Sequence, residues 1–430
     1  MVMSYNIASE VASSDVIQDF KYTGLDTQFE KWLTLAEERI FSVAAGNRVA
    51  QIALKIMNIG FAKVLYGVNE LGADIETANP FIIFAPDGTC SYNSTRTKRG
   101  FAYGAILDMD FDGLLATNNS MPNGCGYSLY ELIDPLPDDK LIRLVSTTQK
   151  KLGKDQLNQL GKGNHFSAIY YVKDPISGED TGRRFVVVHC SGHAGIDFLY
   201  YPHLWLNQIE GYHIIQTPHD DVIFLEGEAR DLYLKKYEYT NQVNANNRDV
   251  TMNDIFIDQQ EWRLLEKITH QGLRKNGKLH LTGTQIHDGL VPIAFNPEEG
   301  LIGAKINPNL RAEFLTTWEH GQRVKDLGLN NALSNLNFAP HGGGYEFRFP
   351  VEYFNIQLDP KGINHFRMRF KGDGAQVQFK DFREIRNFMT FRQKTPLIQK
   401  LGETHLIKIL YHMPRLIQVY PPHNIPGGYY

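Results

Sequence analysis

An α+β fold is predicted by the way apolar residues are spaced along this chain. Near the start they recur at three- and four-residue intervals; through the middle they form short runs bounded by glycine; after that, helical and strand-like segments mix. No internal repeat, low-complexity linker or shift of composition marks a domain boundary. With 430 residues the chain can bury a substantial core without disulfide staples.

The first helical pattern runs from Asp26 to Val68, where Phe29, Trp32, Leu33, Ala36, Ile40 and Val43 share one face. Asp26 or Thr27 is placed to cap it, and a second helix follows from Asn47 to Leu65. The segment from Pro80 to Pro86 reads as a short buried strand, and nothing catalytic shows itself before residue 90. Between Gly100 and Leu132 glycines bracket short apolar runs. There Asp108, Asp110 and Asp112 would alternate on one face of a strand, as ligands for a hard cation or as solvated edge charges. His165 stands just before an apolar strand, and His189 ends the run Phe185 to Val188. Residues 224–249 read as a long amphipathic helix. His270, His280 and His287 follow among strands and turns, with hairpins expected around the Pro297 to Gly300 turn. Farther on, Arg367, Arg369 and Lys371 alternate with Phe366, Met368 and Phe370. That pattern can serve single-stranded nucleic acid and is also that of an ordinary amphipathic strand.

Composition removes several classes of function. Hydrophobic residues at 42% and charged residues at 21% exclude a disordered, coiled-coil or collagenous chain. Lys+Arg 44 against Asp+Glu 48 argues against coating nucleic acid by bulk positive charge and confines any such contact to a groove. The cysteines, Cys90, Cys125 and Cys190, are odd in number and far apart, so they read as ligands or core residues in a reducing compartment, and a cytoplasmic location is expected. No basic leader followed by an apolar run opens the sequence, and no membrane segment is expected.

Three places carry candidate chemistry. Pro340-His341-Gly342-Gly343-Gly344 reads as a tight loop that presents an imidazole where glycine N–H groups can also hold a phosphate; taken alone, the motif is more often a glycine turn with a solvated histidine. Cys125 lies between Gly124 and Gly126, as a soft metal ligand or a small core residue. His165 and His189, at strand-to-loop boundaries beside glycines, are placed to share an ion.

Taken in order, these motifs resemble the RtcB family of RNA-splicing ligases. Gly163-Asn164-His165-Phe166 matches its G-N-H-F, and His189-Cys190-Ser191-Gly192-His193 is similar to its H-S-G-S-R. Asn246-Asn247-Arg248 resembles its A-N-R, His270-Gln271 its H-N, and Ala339-Pro340-His341-Gly342-Gly343-Gly344-Tyr345 its A-P-H-G-A-G-R. Val291-Pro292-Ile293 to Asn296 resembles its I-I-P-x-N. The resemblance implies a single domain over residues 1–430, with packed central β-sheets, flanking helices and a metal cleft. Its parts would be an N-terminal helical part (1–90), a catalytic core (100–350) and a divergent C-terminal part (351–430). It implies that His341 takes GMP from GTP and that Cys125, His165, His189 and His270 hold manganese, or zinc in its place. Asn164 and Phe166 would contact the nucleotide with Gly342, Gly343 and Gly344, and Arg248 and Arg348 the RNA. The activity implied joins a 3′-phosphate or cyclic-phosphate RNA end to a 5′-hydroxyl end.

Departures from the family pattern define two alternatives. Pro122 stands where the family has a metal-bridging Asp, Ala168 where it has a guanine-reading Glu, and Tyr345 where it has an Arg. Leu281-Thr282 replaces a basic pair, the upstream D-x-H-x-G is not recognisable, and residues 309–328 look like an insertion. Phosphate-binding charge is thus reduced while the imidazoles remain. The alternatives are a degenerate homologue that binds RNA ends or serves structurally, and a metal-dependent phosphoesterase.

Overall fold

The computed structural model describes residues 17, 19–43, 48–91, 93–117, 120–151, 165–191, 195–256, 258–296, 298–371 and 376–419. They form mixed α+β architecture around a twelve-stranded sheet. Its strands are β1 (Ile40–Ser42), β2 (Phe81–Thr89), β3 (Tyr103–Asp108), β4 (Cys125–Leu132), β5 (Phe166–Lys173) and β6 (Asp180–Cys190). They continue with β7 (Trp262–Arg274), β8 (Leu279–Thr282), β9 (Leu290–Ala294), β10 (Leu301–Ile306), β11 (Ile407–Met413) and β12 (Arg415–Val419). The spatial order is β9-β10-β11-β5-β6-β4-β7-β8-β3-β2-β1, with β12 also pairing β5. All neighbours run antiparallel except β1 and β2. A separate four-stranded sheet joins Asp19–Thr23 to Val351–Asp359, Gly362–Phe370 and Gln376–Phe379.

The N-terminal helical pattern is interrupted. Helix α1 (Glu30–Glu38) ends at Arg39, and Ile40 and Phe41 leave the helical face to pair with Ile82 and Ile83 of β2. Periodicity alone cannot see this: β-branched and aromatic residues satisfy a helical spacing and a buried strand equally, and the tertiary pairing decides. Asp26 does not cap α1; its carboxylate accepts from Gln28 N–H in the turn ahead, and Phe29 takes the cap position. Helix α2 (Arg48–Glu70) is long and apolar enough, by length and composition, to cross a membrane, and 78% of its apolar window is buried within the protein. Here it is the central helix of the largest core cluster, with Ile56, Phe61 and Leu65 fully buried.

The strand read over Pro80 to Pro86 is β2, every residue of which is buried. The aspartate triplet does not share a face. Asp108 ends β3, Asp110 pairs with Lys278 at 2.6 Å, and Asp112 has φ +47 in the turn that follows. The hairpin expected near residue 300 is β9 with β10. Residues 309–328 contain helices Ala312–Thr317 and Gly321–Asp326, which bury Leu315 and Val324 against the sheet's outer core.

One reading of amphipathicity is corrected, and in the second the ordinary amphipathic strand is what the structure has. Helix α3 (Gly227–Phe256) is longer than expected, and its buried stripe is largely polar: Tyr237, Thr240, Asn244, Arg248 and Thr251 line it at helical spacing. A stripe of that kind buries a face without segregating apolar from polar residues, so the helix meets the sheet through hydrogen bonds as well as contacts. In Gly362–Phe370, Phe366, Met368 and Phe370 are buried while Arg367 and Arg369 are exposed. The aromatic rings belong to the core and cannot stack on bases.

Candidate metal centre

The middle of the large sheet brings the predicted ligands together. Tyr127 on β4 pairs with His189 on β6, and Phe166 on β5 pairs with the same histidine, so these side chains share one face. Cys125, two residues before Tyr127, lies on that face as well. Strand β7 contributes through a bulge: Thr269 opposes Gly126 and Gln271 opposes Cys125, which makes His270 the extra residue. A bulge beside a site re-aims a side chain, and this one turns the His270 imidazole toward His189.

The donor atoms converge. Cys125 Sγ lies 3.2 Å from His165 Nε2 and 3.3 Å from His189 Nε2, and His189 Nε2 lies 3.3 Å from His270 Nε2. All four residues are buried. Ligand bonds of about 2.0–2.1 Å to nitrogen and about 2.3 Å to sulfur set neighbouring donors of a tetrahedral ion roughly 3.3–3.6 Å apart. The observed spacing is close to that edge, and Cys125, His165 and His189 form a group that can hold a metal ion. His270 extends the row, its Nδ1 buried without a hydrogen-bond partner.

Electrostatics favours a neutral donor set. Burial pushes the Cys125 thiol up to about 12; Cys190 adds to the rise, while Arg248, the Gly126 N–H and Arg96 oppose it. Burial holds His270 well below the ordinary imidazole value, and the charges of His341, His189, Arg248 and His165 lower it further. A thiol and neutral imidazoles bind a cation by releasing a proton from sulfur, so the group's affinity weakens as pH is lowered.

His341 stands at the end of this row, its ring centroid 4.8 Å from that of His270. It is not a solvated turn residue. His341 Nδ1 lies 2.7 Å from Oδ2 of Asp87, a carboxylate with no exposed surface, while the His341 side chain keeps 16% exposure. A carboxylate only accepts, so Nδ1 carries the hydrogen and Nε2 the free lone pair. The backbone N–H groups of His341 and Gly342 also donate to Asp87 Oδ2, at 3.2 and 3.4 Å. Tyr127 donates its hydroxyl to His341 O at 2.9 Å, and its ring lies 4.5 Å from His189 and 4.8 Å from His270.

Glycine matters here at two positions. A Cβ on Gly283 (φ +80) would lie 3.0 Å from His341 Cε1, and one on Gly344 (φ +69) 2.7 Å from Asp87 O. The phosphate cradle expected of Gly342 and Gly343 is a correction: Gly342 N–H faces Asp87, and Gly343 N–H donates to Ala294 O at 2.8 Å. The loop's amides fasten the histidine instead.

The remaining predicted residues divide. Arg248 is corrected from an RNA contact: it is 1% exposed, with Nε donating to Ser128 Oγ at 2.9 Å and Nη1 to Cys190 O at 3.3 Å. Phe166 packs edge-on against His189 with centroids 5.4 Å apart. Arg348 is exposed, its Nε donating to Met389 O. Asn164 and His193 lie outside the described residues.

Sequence reading missed Asp87, Tyr127 and Arg392. Asp87 lies before residue 90, where no candidate chemistry was read, yet it faces His341; a carboxylate near the end of an otherwise apolar buried strand was the available signal. Arg392, 8% exposed, donates to Pro86 O, Gly88 O and Tyr345 O and so ties the Asp87 turn to the loop after His341. No protein-family model matches the chain, and no curated protein matches it.

Proposed function

We propose that this protein is a metal-dependent RNA ligase of the RtcB kind, with His341 as nucleophile and Asp87 as its positioning residue. The observation that carries the proposal is the Asp87–His341 pair at 2.7 Å beside a buried Cys/His group. A carboxylate on Nδ1 fixes the tautomer and stabilises the charge an imidazole gains on attacking phosphorus. The Nε2 lone pair bonds to the α-phosphorus of GTP, and the bond to the leaving pyrophosphate breaks. An oxygen of the RNA 3′-phosphate then takes GMP from Nε2, and the 5′-hydroxyl of the second end displaces GMP to seal the strand. A manganese or zinc ion on Cys125, His165 and His189 would supply charge neutralisation at the phosphate oxygens. Tyr127 holds the His341 carbonyl, and Arg392 holds the turn bearing Asp87. A cytoplasmic setting fits the free, buried cysteines.

A phosphoesterase reading has one observation in its favour. Ala168 is buried within β5, opposite Val187 and Gln418, so the carboxylate that reads guanine in the family has no counterpart there. Incubation with manganese and labelled GTP separates the readings. The ligase gives an acid-labile, alkali-stable label on the wild type and none on His341→Ala. No label from any nucleoside triphosphate, together with release of a terminal RNA phosphate, contradicts the ligase and supports the esterase.

A further inference from the structure

Arg96 is a buried guanidinium whose donors are not accounted for. It is 1% exposed, and no carboxylate among the described residues pairs with it. One nitrogen, Nη2, donates to Met121 O at 3.0 Å; Nε and Nη1 are buried without a hydrogen-bond partner. Fastening Met121, which sits at φ +46, requires the single N–H that is used. Gln271 grips the same segment, its amide donating to Ser120 O at 2.9 Å and to Met121 O at 3.3 Å, and its own Oε1 is buried without a partner. Natural proteins rarely leave buried donors of a charged group unmatched, because the desolvation is uncompensated.

The surroundings place this charge beside the metal centre. The Arg96 guanidinium lies over the ring of Tyr103, 4.4 Å from its centroid. Gln271, which holds the same Met121 carbonyl, opposes Cys125 in the strand register. Asn123 Oδ1 accepts the Cys125 N–H at 2.9 Å. Tyr103 is only half-buried, so the ring beneath the guanidinium reaches toward the surface. A planar cation with free N–H groups is a donor set that oxyanions use.

We infer that Arg96, stacked on the Tyr103 ring, forms an oxyanion subsite beside Cys125 that takes a phosphate group of the substrate. The choice of phosphate rests on the phosphoryl-transfer reading above; the donor set does not.

Binding of inorganic phosphate to the full chain, by calorimetry and by the shift in unfolding midpoint, tests the inference. The wild type binds phosphate and prefers it to acetate. Arg96→Met weakens phosphate binding at least about 10-fold, whereas Cys125→Ser and His341→Ala retain it. Arg96→Lys, which keeps the charge and loses the planar donors, weakens it less, and it decides the matter should Arg96→Met fail to fold. Wild-type affinity in both Arg96 variants overturns the subsite, as does an effect lost in Cys125→Ser but kept in Arg96→Met, which would put the phosphate on the metal. Equal binding of acetate overturns the assignment to phosphate. An unlabelled His341 with Arg96-dependent phosphate binding breaks the ligase reading and spares the subsite; a labelled His341 with Arg96-independent binding does the reverse.

Discussion

His270 and His280 sit on the neighbouring strands β7 and β8, both buried, and they do opposite things. His280 is closed: its Nδ1 accepts from Ser120 Oγ at 2.8 Å and its Nε2 donates to Gly277 O at 2.8 Å. His270 is open: its Nε2 meets another imidazole nitrogen at 3.3 Å and its Nδ1 meets nothing. Burial makes both imidazoles neutral, yet only one environment offers its lone pair to other donors. Residue type and burial are shared by a core histidine and a ligand; what separates them is whether both ring nitrogens already have partners.

Substitutions at the open side should have the larger effects. His341→Ala should lose all covalent labelling, measured after denaturation to exclude bound nucleotide. Cys125→Ser should lower metal affinity at least about 100-fold, more than typical outer-shell changes, as read by competition with a chromogenic chelator. Asp87→Asn should keep the metal and slow labelling by about 10²–10⁴, because an amide no longer enforces the Nδ1–H tautomer. An unchanged rate would remove Asp87 from the mechanism. Tyr127→Phe deletes one hydrogen bond to the loop and should cost about 1 kcal/mol of stability in denaturant titration.

The closed side should show itself in pH rather than in activity. Burial, partly opposed by the bond to Gly277 O, lowers His280 from 6.5 to about 4. The unfolded chain takes a proton near 6.5 that the folded chain refuses until about 4, so unfolding gains as pH falls through that window. Stability is therefore full above about 6.5 and lost progressively toward 4, by about 3 kcal/mol at most from this group. His280→Gln should flatten that slope, and a slope unchanged from wild type would contradict the assignment.

Much of this was legible in the sequence. Strand-end histidines beside glycines, and a cysteine between two glycines, pointed to the face where Cys125, His165 and His189 meet, because alternation along strands reports which residues share a side. The His270 bulge was not legible, since an extra residue in one strand is defined only by its partner. Asp87 was hidden by distance: its partner lies 254 residues away, and local patterning carries no pairing information across that span. Arg248 misled because its RNA contact was carried over from the resemblance of Asn246-Asn247-Arg248 to a family motif, and a motif match does not report burial; here the stripe it belongs to is buried.

The most direct test of the contrast between open and closed histidines is the metal content of the purified chain by plasma mass spectrometry, beside Cys125→Ser and His280→Gln. We expect at least about one equivalent of a divalent transition metal in the wild type and in His280→Gln, and little in Cys125→Ser. A metal-free wild type that takes up none on dialysis, or a Cys125→Ser variant as metal-rich as the wild type, would contradict the account.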